Sequence, residues 1–224
     1  HQLKTPLAGL RMQADLAQRK DAGEEELKQS LQQIGRASVQ ATHTVNQLLS
    51  LARAEGAGAI DLQSCDMAAL ISEVLNDSLP HAMDKGLDLG YDGVDTEQKR
   101  RFVTVQGNPT LLKEMIRNLV DNAIHYTPST AERMGVITVR LLVDPYSQAL
   151  AVQVEDNGPG IAAAERERVF EPFYRALGSN VDGSGLGLPI VREIAQRHGA
   201  TVTVEQAHPG QTPPGACFTI RFSR

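Results

Sequence analysis

The sequence predicts an α-helical hairpin followed by an α/β sandwich with helices on one face of a mixed sheet. Three observations carry this. A heptad repeat runs through the first quarter of the chain; short strands alternate with helices after residue 60; and two glycine clusters bracket one long irregular segment.

Positions 27, 31, 34, 38, 41, 45, 48 and 52 read Leu, Leu, Ile, Ser, Ala, Val, Leu and Ala, in alternating steps of four and three. That is a seam of period 3.5. Upstream of a turn at Asp21, Ala22 and Gly23, the residues Leu3, Leu7, Leu10, Ala14 and Ala17 form a shorter seam of the same kind. Two striped helices cannot enclose a core alone, so a second copy is expected, giving a dimeric four-helix bundle and a homodimer. The unit is expected to span 1–57, ending in the flexible run Gly56, Ala57, Gly58, Ala59, with the second domain over 58–224.

In the second unit, Met67 to Leu79 is amphipathic, and Leu87 to Tyr91 and Phe102 to Val105 read as strands. Asn108 followed by Pro109 is a cap with proline at the first helical position, opening a helix from Thr110 to about His125. Val136 to Val143 and Ala149 to Glu155 alternate as adjacent strands, Gly187 to His198 is helical, and Ala200 to Glu205 and Cys217 to Phe222 close the sheet. Between Gly160 and Gly185 the pattern lapses, as in segments that serve as lids.

The 224 residues exceed the usual size of one domain. Aromatics are sparse and tryptophan is absent. No run approaches the roughly 18 apolar residues a membrane span needs, and no signal-like amino terminus is seen. The chain opens inside an apolar pattern without methionine, so a fragment with an upstream part is expected. Cys65 and Cys217 are too few and too distant for a metal knuckle or disulfide framework, and are expected to be buried thiols of a reducing compartment. Net charge is −5, distributed as +1 over residues 1–55 and −6 over the rest. An acidic second unit argues against nucleic acid as a partner. A polyanionic ligand would have to be held by local dipoles.

The glycine clusters supply such dipoles. Asp156-Asn157-Gly158-Pro159-Gly160 follows a strand, and Gly183-Ser184-Gly185-Leu186-Gly187 precedes a helix, where backbone N–H groups face anions. Neither cluster fits a Walker loop or a dinucleotide fingerprint. On the helix between them and the amino terminus, Glu114, Asn118 and Asn122 recur every four residues, so one face presents a carboxylate and two amides. Amide oxygens suit magnesium carrying nucleotide phosphates, and Asp156 can accept from an exocyclic amine. Together these describe an ATP site.

The ordered motifs HQLKTPL, NLVDNAIHYTP, EDNGPGI, FEPFYR and GSGLGLPIV resemble the phosphoacceptor, N, first glycine, F and second glycine boxes of sensor histidine kinases of two-component signalling. The resemblance implies an ATP-binding sandwich of the GHKL (Bergerat) type. It implies an ATP-dependent protein-histidine kinase that phosphorylates itself on His1 and passes the group to an aspartate of a response regulator receiver domain. By the same resemblance the fragment is cytoplasmic, without direct membrane contact, in a protein anchored in the bacterial inner membrane.

Carried over residue by residue, Asn118 would hold Mg²⁺, with Asn122 and Tyr126 near the phosphates. Asp156 would bind the adenine amine, with Gly158, Gly160 and Ile161 beside the base. Phe170 and Phe173 would anchor the lid, Arg175 would meet phosphate charge, and Gly183, Gly185, Leu186 and Gly187 would form the hinge and phosphate-facing turn. Many relatives have lysine where this chain has His125, whose charge depends on pH. Relatives usually follow the histidine with an acidic residue. Here it is Gln2, which can accept from the ring but not take its proton, so slow autophosphorylation is expected. Thr5 resembles the position that orients water for dephosphorylating the partner, and Pro6 kinks the helix just below His1. Two rival readings are an ATPase of the gyrase and chaperone type, with Glu114 activating water, and a nucleotide-free dimeric scaffold.

Overall fold

The computed structural model describes residues 12, 14, 23–55, 61–94, 103–144, 146, 149–175 and 184–223. His1, Gln2, Thr5, Pro6, Phe102 and Gly183 lie outside them. The chain separates into two compact units, 1–53 and 54–224.

In the first unit, Met12 and Ala14 are helical, and α1 runs Glu24–Glu55. It opens where the Gly23 carbonyl accepts from the Leu27 N–H at 3.0 Å. Of the seam, Leu27, Leu31 and Val45 are exposed and Ile34 and Ala41 half-buried. Leu49 adds a further exposed leucine beside the seam. Among the described residues these side chains leave an exposed apolar stripe along α1.

In the second unit, β1 (Gln63–Asp66) pairs antiparallel with β3 (Thr104–Gly107) in a two-stranded sheet. The strand expected at 102–105 therefore lies two residues later, against a partner the sequence does not announce: only Cys65 of β1 faces inward. Helix α2 (Met67–Asp84) starts at Asp66, whose Oδ1 accepts from the Ala68 and Ala69 N–H groups at 2.9 and 3.2 Å. It continues past Pro80 because Ala82 is still buried, then stops at Gly86, which takes φ +65°.

The main sheet has the order β2-β4-β5-β7-β6, from β2 (Leu87–Asp92), β4 (Gly135–Val143), β5 (Leu150–Asp156), β6 (Ala200–Gln206) and β7 (Ala216–Phe222). Its β2–β4 pair is parallel and the others antiparallel. Alternate residues face the helices, since the side-chain period of a strand is two. Ile137, Val139, Leu141, Val152, Val154, Phe218 and Ile220 are buried there against α2, α3 (Pro109–Tyr126) and α4 (Gly187–Arg197). The other face is a half-buried polar lattice, where Arg140 meets Glu155 and Asp92 and the Gln153 amide donates to Thr219 Oγ1 at 3.1 Å. No helix among the described residues is long and apolar enough to cross a membrane.

Helix α3 carries the candidate asparagines, and both its flank and its start are pinned. Lys113 pairs with Glu73 of α2, and Arg117 with Asp77 at 2.7 Å. Asn108 Oδ1 caps the Leu111 N–H at 3.1 Å, while its own backbone N–H donates to His198 Nε2 at 3.0 Å. His198 Nδ1 lies 2.7 Å from the Ile194 carbonyl, so the proton sits on Nδ1 and the ring is neutral. Burial pushes its pKa down, against the pull of that carbonyl. Gly107 is required here because a Cβ would stand 2.6 Å from Leu112 Cδ1 and 2.8 Å from His198 Cδ2.

Both cysteines are free. Cys65 is buried as expected, but Cys217 is half-buried because it falls on the polar face of β7. Burial raises both thiols.

Candidate nucleotide site

The site is built from α3, the end of β5, the start of β7 and the approach to α4. Asn118 is buried on α3 at 9% exposure, and Glu114 and Asn122, one turn before and after it, are half-buried. The Asn118 Nδ2 donates to the Glu114 backbone carbonyl at 2.8 Å and to Glu114 Oε1 at 3.3 Å. Both partners are pure acceptors, which fixes the amide with its NH₂ toward Glu114 and leaves Oδ1 as the presented atom. A neutral hard oxygen of this kind fits a magnesium ion that brings phosphate oxygens with it. His125 and Tyr126 close the helix, their rings edge to face at 5.3 Å.

Asp156 ends β5 on its buried face, at 6% exposure. Its Oδ1 accepts from the Gly158 N–H at 2.8 Å and the Ala216 N–H at 3.3 Å. Burial pushes its pKa up, and those two hydrogen bonds pull it back. Oδ2 takes no bond from the described residues, so one carboxylate oxygen is held and the other offered. The approach is close: a Cβ on Gly158 would stand 2.9 Å from Asp156 Oδ1 and 3.2 Å from the Tyr126 carbonyl. Gly160 has φ +74°, with a Cβ position 2.7 Å from the Gly215 carbonyl. Ile161 beside it is half-buried. Asn157, which shares the motif, is structural: its Oδ1 accepts from the Val136 N–H at 2.9 Å and its Nδ2 donates to Met134 at 3.0 Å.

Sequence reasoning missed the wall opposite, Pro214-Gly215-Ala216. The Gly215 N–H donates to the Gly158 carbonyl at 3.1 Å, and Ala216 contributes only a backbone N–H. The sole sequence signal was the turn-like PPG run. A cleft of about 440 Å³ opens nearby, with Tyr126, Thr127, Pro159 and Pro213 among its lining residues.

The expected lid begins with two 3₁₀ turns, Ala163–Glu165 and Arg168–Phe170. Phe170 is buried edge to face against Phe218, ring centroids 6.3 Å apart, with the Arg192 guanidinium 4.4 Å above its ring. Phe173, the second expected anchor, is held in a different way. Its side chain is 44% exposed, its φ is +66°, and it holds on by its backbone, the N–H donating to the Gly185 carbonyl at 2.8 Å. Gly185 at φ +70° allows this, since a Cβ there would stand 2.8 Å from Phe173 Cα. Tyr174 donates to Glu165 Oε1 at 2.9 Å under the Arg168 guanidinium, and Arg175 is exposed. Leu186 is buried, its N–H bonded to Ser184 Oγ at 3.1 Å. Helix α4 then starts at Gly187 with no side-chain cap.

Two family profiles match the chain: "His Kinase A (phospho-acceptor) domain" over residues 1–57, and "Histidine kinase-, DNA gyrase B-, and HSP90-like ATPase" over residues 107–224. The sensor protein kinase PmrB of Pseudomonas aeruginosa is 34% identical over 200 residues, covering 88% of this chain and 39% of PmrB. The sensor protein QseC of Salmonella typhi is 35% identical over 213 residues, covering 94% of this chain and 44% of QseC. The chain thus spans about two-fifths of the length of these curated relatives. The solved structure of a mycobacterial sensor histidine kinase, MprB, superposes with a TM-score of 0.60 at 30% identity, covering 72% of this chain and 96% of that one. With the described fold and five ordered motifs, these matches show that the chain belongs to the sensor histidine kinase family.

Proposed function

We propose that this chain is the kinase core of a two-component sensor, transferring the γ-phosphoryl group of Mg-ATP to His1 and then to an aspartate of a response regulator. The observation that carries the reading is the complementary pair in the second unit. Asp156 is buried with one oxygen held and one offered to an exocyclic amine, and Asn118 is buried with its carbonyl oxygen offered to a cation. A purine triphosphate with magnesium satisfies both, and a nucleotide-free scaffold has no use for either.

In this reading Asp156 selects the adenine amine, while Gly158, Gly160 and Ile161 let the base approach the backbone. Asn122, His125, Tyr126 and Arg175 face the phosphates, and Gly183, Gly185, Leu186 and Gly187, the sequence leading into the uncapped start of α4, receive them. Asn118 holds the magnesium, which neutralises phosphate charge and orients the triphosphate. Phe170 secures the lid in the core and Phe173 turns it. His1 is the nucleophile, because a neutral imidazole nitrogen attacks at pH 7 and forms an N–P bond labile enough to pass the group on. Gln2 accepts the ring N–H without taking its proton, so autophosphorylation is slow, and Thr5 orients water for the reverse task of dephosphorylating the receiver. Residues 1–57 form the dimerising phosphoacceptor unit and 58–224 the catalytic unit. The exposed Leu27, Leu31 and Val45 support pairing with a second copy. The whole protein is anchored in the inner membrane through residues outside this chain.

Incubation with γ-labelled ATP and Mg²⁺ tests the reading. Acid-labile label on the chain, lost in His1→Gln and passed to a receiver domain, is expected. Free phosphate with no label on the protein would instead favour the ATPase reading, in which Glu114 activates water.

A further inference from the structure

Glu114 has a carboxylate beside the amide nitrogen of Asn118, and the geometry points to a role other than water activation. We propose that Glu114 is a positioning residue: it fixes the amide of Asn118 so that Oδ1, and not Nδ2, is presented to the cation carried by the nucleotide. The proposal rests on the Mg-ATP reading above and deepens it.

An asparagine amide has two faces of opposite chemistry at nearly the same shape, and nothing in its rotamer alone selects between them. Asn118 is 9% exposed, so water does not settle the choice. Its nitrogen lies 2.8 Å from the Glu114 backbone carbonyl and 3.3 Å from Glu114 Oε1, both acceptors only. The NH₂ thus faces two acceptors. Turning the amide over would oppose three oxygens, lose both bonds and aim a donor at a cation. Asn122, one turn on, has no such tether among the described residues and remains half-buried. The spacing of four thus links a carboxylate to the amide that follows it, instead of presenting three independent ligands.

The backbone carbonyl alone holds one hydrogen, so deleting the carboxylate loosens the amide without releasing it. Loss of one such hydrogen bond corresponds to a roughly three- to tenfold change in an equilibrium. The experiment measures the affinity of this chain for a fluorescent ATP analogue as Mg²⁺ is titrated, in the unaltered chain, Glu114→Gln and Glu114→Ala. Glu114→Ala is expected to raise the half-saturating Mg²⁺ about three- to tenfold. Glu114→Gln is expected to stay within about twofold of the unaltered chain, because its Oε1 accepts the same hydrogen. Two results would overturn the inference: Glu114→Gln as impaired as Glu114→Ala, which would make the charge the operative feature, or Glu114→Ala unchanged. If the unaltered chain binds the analogue without regard to Mg²⁺, the Mg-ATP reading itself falls and takes the inference with it.

Should Glu114→Ala fail to fold, a second pair carries the same test. Asn118→Asp places an acceptor against two acceptors and is expected to weaken Mg²⁺-dependent binding. Adding Glu114→Gln supplies a donor and is expected to restore it; no recovery in the double variant would overturn the proposal.

Discussion

Helices α3 and α4 flank the same site and begin in opposite ways. At α3 the first turn is largely closed: Asn108 Oδ1 caps the Leu111 N–H, Pro109 has no N–H to satisfy, and His198 Nε2 accepts from the Asn108 N–H. At α4 the N-cap position is Leu186, buried and without a capping oxygen. Helix starts leave several backbone N–H groups without partners, and the positive end of the dipole makes them attractive to anions. The closed start serves the fold and fixes where Asn118 stands; in the proposed reading the open one receives the phosphates. Substitutions should therefore affect stability and nucleotide affinity separately at the two ends.

The largest effect is expected at Gly185, where the approach to α4 depends on a left-handed turn against the backbone of residue 173. Gly185→Ala adds a Cβ 2.8 Å from Phe173 Cα at φ +70°. It should destabilise the second unit by about 2–4 kcal/mol and abolish measurable nucleotide binding. Gly199 has φ +63° but no atom within 4 Å of its Cβ position, so Gly199→Ala should cost only about 1 kcal/mol and leave binding intact. Equal losses at both glycines in thermal melts and titrations would mean that the contact with Phe173 is irrelevant.

Asp156→Asn separates the two kinds of effect in one residue. The amide oxygen still accepts from Gly158 and Ala216, while the buried charge is removed. Because burial raises the Asp156 pKa, its ionised form is penalised at neutral pH. The variant should thus melt higher near pH 7, and the advantage should shrink as pH falls and the native carboxyl protonates. Binding should move the other way, by about 100-fold, since an NH₂ now faces the adenine amine. A variant that melts lower and binds ATP normally would remove Asp156 from the site.

Much of this was legible in the sequence because it is written in side chains with a period. The alternation of 136–143 and 149–155, which the strands 135–143 and 150–156 match to within a residue, the Asn108-Pro109 start and the four-residue spacing of Glu114, Asn118 and Asn122 are all of that kind. What was missed is written in the backbone. Ala216 supplies an N–H that almost any residue could supply, β1 has one inward residue, and Phe173 takes φ +66° without being glycine. The orientation of the Asn118 amide lies between these cases: its spacing is visible, but which atom faces Glu114 is not.

The closed start of α3 predicts smaller effects. Asn108→Ala should lower stability by about 1 kcal/mol with little change in nucleotide affinity, as expected for a cap that serves the fold. His198 adds a pH signature. Its pKa lies below the ordinary 6.5, so the native ring resists the proton that the unfolded chain accepts. Its contribution is full above about pH 6.5 and is lost as pH falls through the window down to the native value. In unfolding titrations between pH 7 and 5 the unaltered chain should lose stability more steeply than His198→Gln as pH falls. Parallel slopes would mean that the buried ring is not held neutral.

The smallest effect is expected just past the carboxyl end of α3. Thr127 is buried and its Oγ1 has no hydrogen-bond partner among the described residues, although its backbone N–H is bonded to the Ala123 carbonyl. A buried hydroxyl without a partner carries a desolvation cost and returns nothing, whereas its Cγ2 packs near Gly135. Thr127→Val keeps the branched shape and removes the polar atom, so stability should be unchanged or rise by up to about 1 kcal/mol, with ATP affinity unaltered. Because Thr127 also lines the cleft beside Tyr126 and Pro159, a drop in affinity with unchanged melting would carry a specific meaning. The hydroxyl would then be reserved for the bound nucleotide, and the carboxyl end of α3, like the start of α4, would keep a polar group open for a ligand.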